Sequence, residues 1–129
     1  MLKSGIINPA LLSLIARIRH TNTLVIADRG FPFWPQIETI DLSLIADVPT
    51  VLQVVDAIRA NFVIGQVHAA QEFLAANDAS RQAEFRRRFE GVPLHFEPHA
   101  EFKLRVPRAI GLIRTGDSIP YANLILESA

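Results

Sequence analysis

The stretch that most constrains this chain is Thr23-Leu24-Val25-Ile26-Ala27-Asp28, followed by Arg29-Gly30-Phe31-Pro32. Four consecutive apolar residues with no polar alternation are the pattern of a strand covered on both faces. A strand of that kind needs apolar layers above and below it, which points to an α/β sheet between helices. Asp28 follows the apolar run directly, where the strand gives way to a Gly/Pro loop. Open α/β sheets bind ligands beyond the carboxyl ends of their strands, so Asp28 is a candidate binding carboxylate. His20 precedes the same strand, so His20 and Asp28 flank it from opposite ends.

The neighbouring segments alternate in type. Met1 to Ile7 reads as a lead, with an edge strand as one option. Asn8-Pro9 supplies a cap and a first helical residue, and Leu11, Leu12, Leu14, Ile15 and Ile18 follow at helical spacing. On that reading the helix delivers His20 at its C-terminal end. Ile37 to Leu42 reads as a partly exposed strand, Thr50 to Asn61 as a helix, and Phe62 to Val67 as a second buried strand that His68 closes. Asp78 or Ser80 caps a further helix that Gly91 ends. Leu94 to Phe96, Ala109 to Ile113 and Asn123 to Leu126 read as strands, and His99 to Lys103 as a short helix or turn. The expected architecture is a single domain over residues 1–129: a three-layer α/β sandwich with a mainly parallel central sheet.

Half of the 129 residues are hydrophobic and the mean hydropathy is +0.24. A small domain leaves much of its chain surface exposed, so part of this apolar surface is expected to meet other copies of the chain. Thirteen basic and thirteen acidic residues balance, which gives no reason to expect a nucleic-acid or membrane partner. Without cysteine there is no disulfide, thiol catalysis or thiolate metal site. No signal peptide or membrane-length apolar run is evident, so a cytoplasmic location is the default.

Four histidines carry the only side chains that titrate near neutrality unperturbed. His20 is either an ordinary helix-terminal histidine or an acid/base group; His68 reads as structural, and His95 as structural or exposed. His95 and His99 are four apart, but Pro98 argues against one helix holding both, and no metal site is expected. The segment from Arg114 to Asn123 is dense in hydrogen-bonding groups. It reads either as a turn or as a binding loop for a polyhydroxylated ligand, with Tyr121 and Asn123 as its side chains.

Together these motifs resemble a known family. Arg19-His20-Thr21, Val25-Ile26-Ala27-Asp28, Gly30, Pro32 and Ile40-Asp41-Leu42 look like the N-terminal half of the ribose pyranase and fucose mutarotase family. His99-Ala100-Glu101-Phe102-Lys103, Ile113-Arg114-Thr115-Gly116 and Tyr121-Ala122-Asn123 look like its C-terminal half. The Ile40–Ser43 segment, and alanine at position 122, resemble the ribose branch more. The resemblance implies a cofactor-free isomerase that interconverts the pyranose and furanose forms of D-ribose or a related monosaccharide. The alternatives are a fucose-type mutarotase and a non-catalytic sugar-binding protein associated with transport. It further implies a ring-shaped homo-oligomer, decamer or octamer, with sites between subunits. The implied catalytic residues are His20 and Tyr121. Asp28, His99, Lys103, Tyr121, Ala122 and Asn123 are the implied sugar-binding residues. Arg29, Phe33 and Trp34 depart from the family pattern after the aspartate, which bears on the identity of the sugar.

Overall fold

The computed structural model describes residues 1–129. Six strands form one sheet: β1 (Thr23–Ala27), β2 (Glu38–Asp41), β3 (Ile64–Ala70), β4 (Leu94–Glu97), β5 (Gly111–Arg114) and β6 (Leu124–Ser128). Their spatial order is β2-β5-β1-β6-β3-β4. The pairs β2/β5, β5/β1 and β3/β4 are parallel, whereas β6 lies antiparallel to both β1 and β3. The sheet is therefore mixed, with five strands sharing a direction and the last running against them. The cause is the link after β5. Residues 115–123 contain no helix, and a parallel return needs a crossover of about a dozen residues or more. The link turns instead at the carboxyl edge of the sheet and stays there.

Helices cover both faces. Helix α1 (Pro9–Ala16), α2 (Val51–Arg59), α3 (Glu72–Ala76) and α4 (Ala79–Arg88) supply Leu11, Leu14, Val51, Val55, Ile58, Phe73 and Phe85 to one core cluster. Sheet residues Leu24, Ile26, Val67, Ile113 and Leu126 belong to the same cluster. On the other face, α5 (His99–Arg105) and the 3-10 turn Val106–Arg108 bring Phe102 and Val106 onto Val25, Ala27, Leu112 and Ile125. β1 alternates between these clusters and is fully buried from Leu24 to Ala27. The three-layer arrangement follows from that strand having no polar face to offer water.

Two caps lie where the sequence puts them, and a third falls on Thr50, expected as the first helical residue. Asn8 accepts from the Leu11 N–H at 3.0 Å, and Asp78 accepts from the Arg81 N–H at 2.8 Å. Thr50 and Gln53 form a reciprocal capping box on α2. Other expectations shift. Residues 1–7 form no strand. α1 ends at Ala16, where i→i−3 bonds from Arg17 and Ile18 tighten the chain into turns. His20 therefore lies in a turn and not at a helix end. The second buried strand begins at Ile64 and runs through His68 to Ala70, because pairing with both β4 and β6 outweighs the weak strand propensity of histidine and alanine. Helix α3 has no clear sequence signal.

The return link is held by close backbone contact. Gly116 donates to the Pro49 carbonyl at 2.9 Å, and its own carbonyl accepts from the Asp47 N–H at 2.6 Å. A β-carbon there would collide with the Ile45 carbonyl oxygen and come within 2.9 Å of that of Val48. Backbone cannot yield as a flexible side chain can. Gly116→Ala is expected to cost about 3 kcal/mol, at the upper end of overpacking penalties, measured by urea denaturation.

Candidate functional site

At the carboxyl edge the end of β1, the start of α5 and the return link converge. Asp28, Gly30, Phe31, Pro32, His99, Tyr121 and Asn123 line an open cleft of about 270 Å³. Its centre is a reciprocal contact between residues 95 positions apart. The Asp28 backbone N–H donates to Asn123 Oδ1 at 2.8 Å, and Asn123 Nδ2 donates to Asp28 Oδ2 at 3.1 Å. The other carboxylate oxygen accepts from the Gly30 N–H at 2.9 Å. Asn123 is almost fully buried, with 2% exposure. One amide thus fixes both the backbone and the side chain of the aspartate.

Burial pushes the Asp28 carboxyl above the usual carboxylate range; the Gly30, Asn123 and Phe31 hydrogen bonds oppose this only in part. His99 moves the other way. Burial and the Lys103 ammonium lower its affinity for a proton, against a smaller pull from Glu72 and Asp28. Its Nε2 is buried and makes no hydrogen bond within the chain. The Tyr121 ring meets the His99 ring edge-on at 5.1 Å, and Phe31 lies 6.1 Å from the same ring. Tyr121 has a φ of +57°, an uncommon conformation for an aromatic residue.

The structure brings Asp28, His99, Tyr121 and Asn123 together. Lys103 sits one helical turn beyond His99, half-buried and outside the cleft lining. Ala122 packs in the core with no exposure, its N–H is bonded to the Ile119 carbonyl, and it does not line the cleft. His20 is not in the cleft. It is exposed in the turn before β1, and the five residues of that strand, roughly 17 Å of extended chain, separate the turn from Asp28. The imidazole of one copy cannot meet the carboxylate of the same copy.

The RbsD / FucU transport protein family matches residues 1–129. The chain belongs to that family. A D-ribose pyranase of Geobacillus kaustophilus is 42% identical over 128 residues, covering 99% of this chain and 93% of the relative. A D-ribose pyranase of Chromobacterium violaceum is 39% identical at 99% and 97% coverage. Bacillus subtilis RbsD, solved in complex with D-ribose, superposes with a TM-score of 0.92 at 35% identity and covers 100% of this chain and 98% of its own. The fucose mutarotase of Streptococcus pneumoniae, solved with L-fucose, shares the fold at a TM-score of 0.80 and 19% identity, with 95% and 93% coverage.

Within this RbsD / FucU fold, several residues that shape the cleft escape sequence reasoning. Thr115 continues the β1 register, its N–H and hydroxyl both donating to the Ala27 carbonyl at 2.9 Å. Asp117, 1% exposed, accepts from the Val51 and Ile119 N–H groups, each at 2.8 Å. Glu72 holds the first residue of α5. Their signal lies in partners far along the chain. Arg29 is exposed; its N–H donates to the Asp117 carbonyl at 3.0 Å, and its own carbonyl accepts from Arg114 at 3.3 Å.

The Asp28 shift has a sign that titration can read. A carboxyl raised in the folded state holds more proton than in the unfolded chain. Its contribution to stability is therefore lost as pH rises through the window just above the ordinary carboxylate range. Asp28→Asn is expected to flatten the fall in urea midpoint across that window. It is also expected to lower stability overall, because its new amide NH₂ would face the Asn123 NH₂.

Proposed function

We propose that this chain catalyses ring opening and closure of D-ribose, interconverting its pyranose and furanose forms, at the cleft around Asp28. The observation that carries the reading is the Asp28–Asn123 clamp with His99 and Tyr121 on one polar rim. The D-ribose pyranase relatives and the likeness to RbsD solved with D-ribose support ribose over fucose.

The reaction needs only proton transfers. A base takes the proton from the anomeric hydroxyl as the bond from C1 to the ring oxygen breaks. The bonding pair passes to that oxygen, which takes a proton from an acid and leaves an open-chain aldehyde. Rotation presents the C4 hydroxyl instead of the C5 hydroxyl, and reversal of the steps closes the smaller ring. Asp28, held in place and with its proton affinity raised, accepts a hydrogen bond from a sugar hydroxyl. The buried His99 Nε2 is matched by a second hydroxyl, since a polar atom at a binding surface needs a partner. Tyr121 offers its phenol and Asn123 keeps the carboxylate aimed; buried Ala122 sets the spacing between them, and Lys103 contributes charge behind His99. His20 transfers the proton at the anomeric centre, supplied by a neighbouring subunit. On this reading the protein is a ring-shaped homo-oligomer acting on a monosaccharide in the cytoplasm. No helix is long and apolar enough to cross a membrane.

The experiment is ring exchange of D-ribose followed by NMR saturation transfer with purified protein. Wild type is expected to accelerate exchange, and His20→Ala to lose about 10²-fold or more of that acceleration, as for a positioned acid/base group. Equal rates for the two proteins would remove His20 from the mechanism. Acceleration with L-fucose but not D-ribose would overturn the choice of sugar.

A further inference from the structure

The start of α5 presents an unusual problem. Its N-cap is Pro98, whose side chain makes no capping hydrogen bond. The first N–H groups of a helix need partners from outside it. Here the first one belongs to His99, and both carboxylate oxygens of Glu72 accept it, at 2.8 and 3.1 Å. Glu72 comes from the opposite side of the chain crossing, as the first residue of α3. β3 and β4 bring the two segments side by side, and the Gln71 N–H donating to the Glu97 carbonyl at 2.8 Å extends their pairing to the junction. Glu72 is half-buried and does not line the cleft.

We propose that Glu72 is a positioning residue for the ring-opening reaction, fixing the His99 imidazole at the cleft through its hold on the His99 backbone and through its charge. This inference rests on the reading of the cleft as the sugar site. A carboxylate is suited to both tasks. Its hydrogen bond to a backbone N–H is charge-assisted and therefore stronger than one from a neutral acceptor. It also sets a negative charge beside an imidazole that otherwise faces Lys103 along α5, Asp28 from the end of β1 and the Tyr121 phenol from the return link. Burial and Lys103 drive His99 toward neutrality, and Glu72 opposes them more strongly than Asp28 does. A neutral acceptor in its place would hold the helix end without restoring the proton affinity.

Two variants separate these tasks. Glu72→Gln keeps the length and one acceptor oxygen; Glu72→Ala removes both. The His99 ring signal, followed by NMR titration in each purified protein, is expected to titrate at lower pH in Glu72→Gln than in wild type. Ribose exchange is expected to fall about tenfold in kcat for Glu72→Ala, with a smaller loss for Glu72→Gln, because sub-ångström misplacement of a reacting group is costly. An unchanged His99 titration together with unchanged kcat in Glu72→Gln would overturn the proposal. So would a lowered melting temperature in Glu72→Ala with kcat and the titration intact, since that is a purely structural role. If Glu72→Ala does not fold, Glu72→Gln alone decides. The titration needs no substrate, so it reports on Glu72 even if wild type proves inactive on ribose.

Discussion

Asn123 grips Asp28 from two directions, and the carboxyl edge of the sheet is organised around that contact. The amide oxygen takes the Asp28 N–H and the amide nitrogen gives to its carboxylate. Neither hydrogen bond would hold without the link that carries Asn123 back across the sheet. That link contains three of the four polar residues in the core, Thr115, Asp117 and Asn123. Each is satisfied: Thr115 on the Ala27 carbonyl, Asp117 on the start of α2, Asn123 on Asp28. A buried polar group without a partner costs about 1–3 kcal/mol. The return path is therefore tied to a single geometry by groups that lose heavily if it moves. The aspartate inherits that rigidity.

The same burial tunes the chemistry. Asp28 is an acid whose proton affinity rises on burial, and His99 a base whose affinity falls on burial. Desolvation disfavours the charged form of each, so their affinities approach one another from opposite sides. Glu72 and Lys103 act on His99 with opposite sign, and Glu72 offsets only part of the lowering that burial and Lys103 impose. The aromatic rim of Phe31 and Tyr121 supplies the low-polarity wall that makes these shifts possible while leaving the cleft open on one side.

Much of the layered fold is legible along the chain because its causes are local. The run Leu24–Ala27 reads as a doubly covered strand, and Asn8 and Asp78 cap the helices that follow them. Pro98 divides the His95 strand from the His99 helix, as its missing N–H and fixed ring demand. Asp28, His99, Tyr121 and Asn123 stand out as hydrogen-bonding residues at turns, and they do share one cleft. Glu72, Thr115 and Asp117 do not stand out, since a carboxylate or hydroxyl in a polar stretch reads as solvated. Only their distant partners give them a fixed place in the structure. The helix end expected at His20 falls on the other side, where local pattern misleads: α1 stops at Ala16.

Local pattern along the chain marked most of the strands and helices, though not α3, and the residue types available for proton transfer, because these depend on side chains within a few positions. The tertiary structure decided that β6 inserts antiparallel between β1 and β3 and that Asn123 meets Asp28. Those outcomes depend on hydrogen bonds and packing between residues as much as 95 positions apart. Local pattern carries no record of such pairings; they are chosen by the free energy of the whole packed sheet.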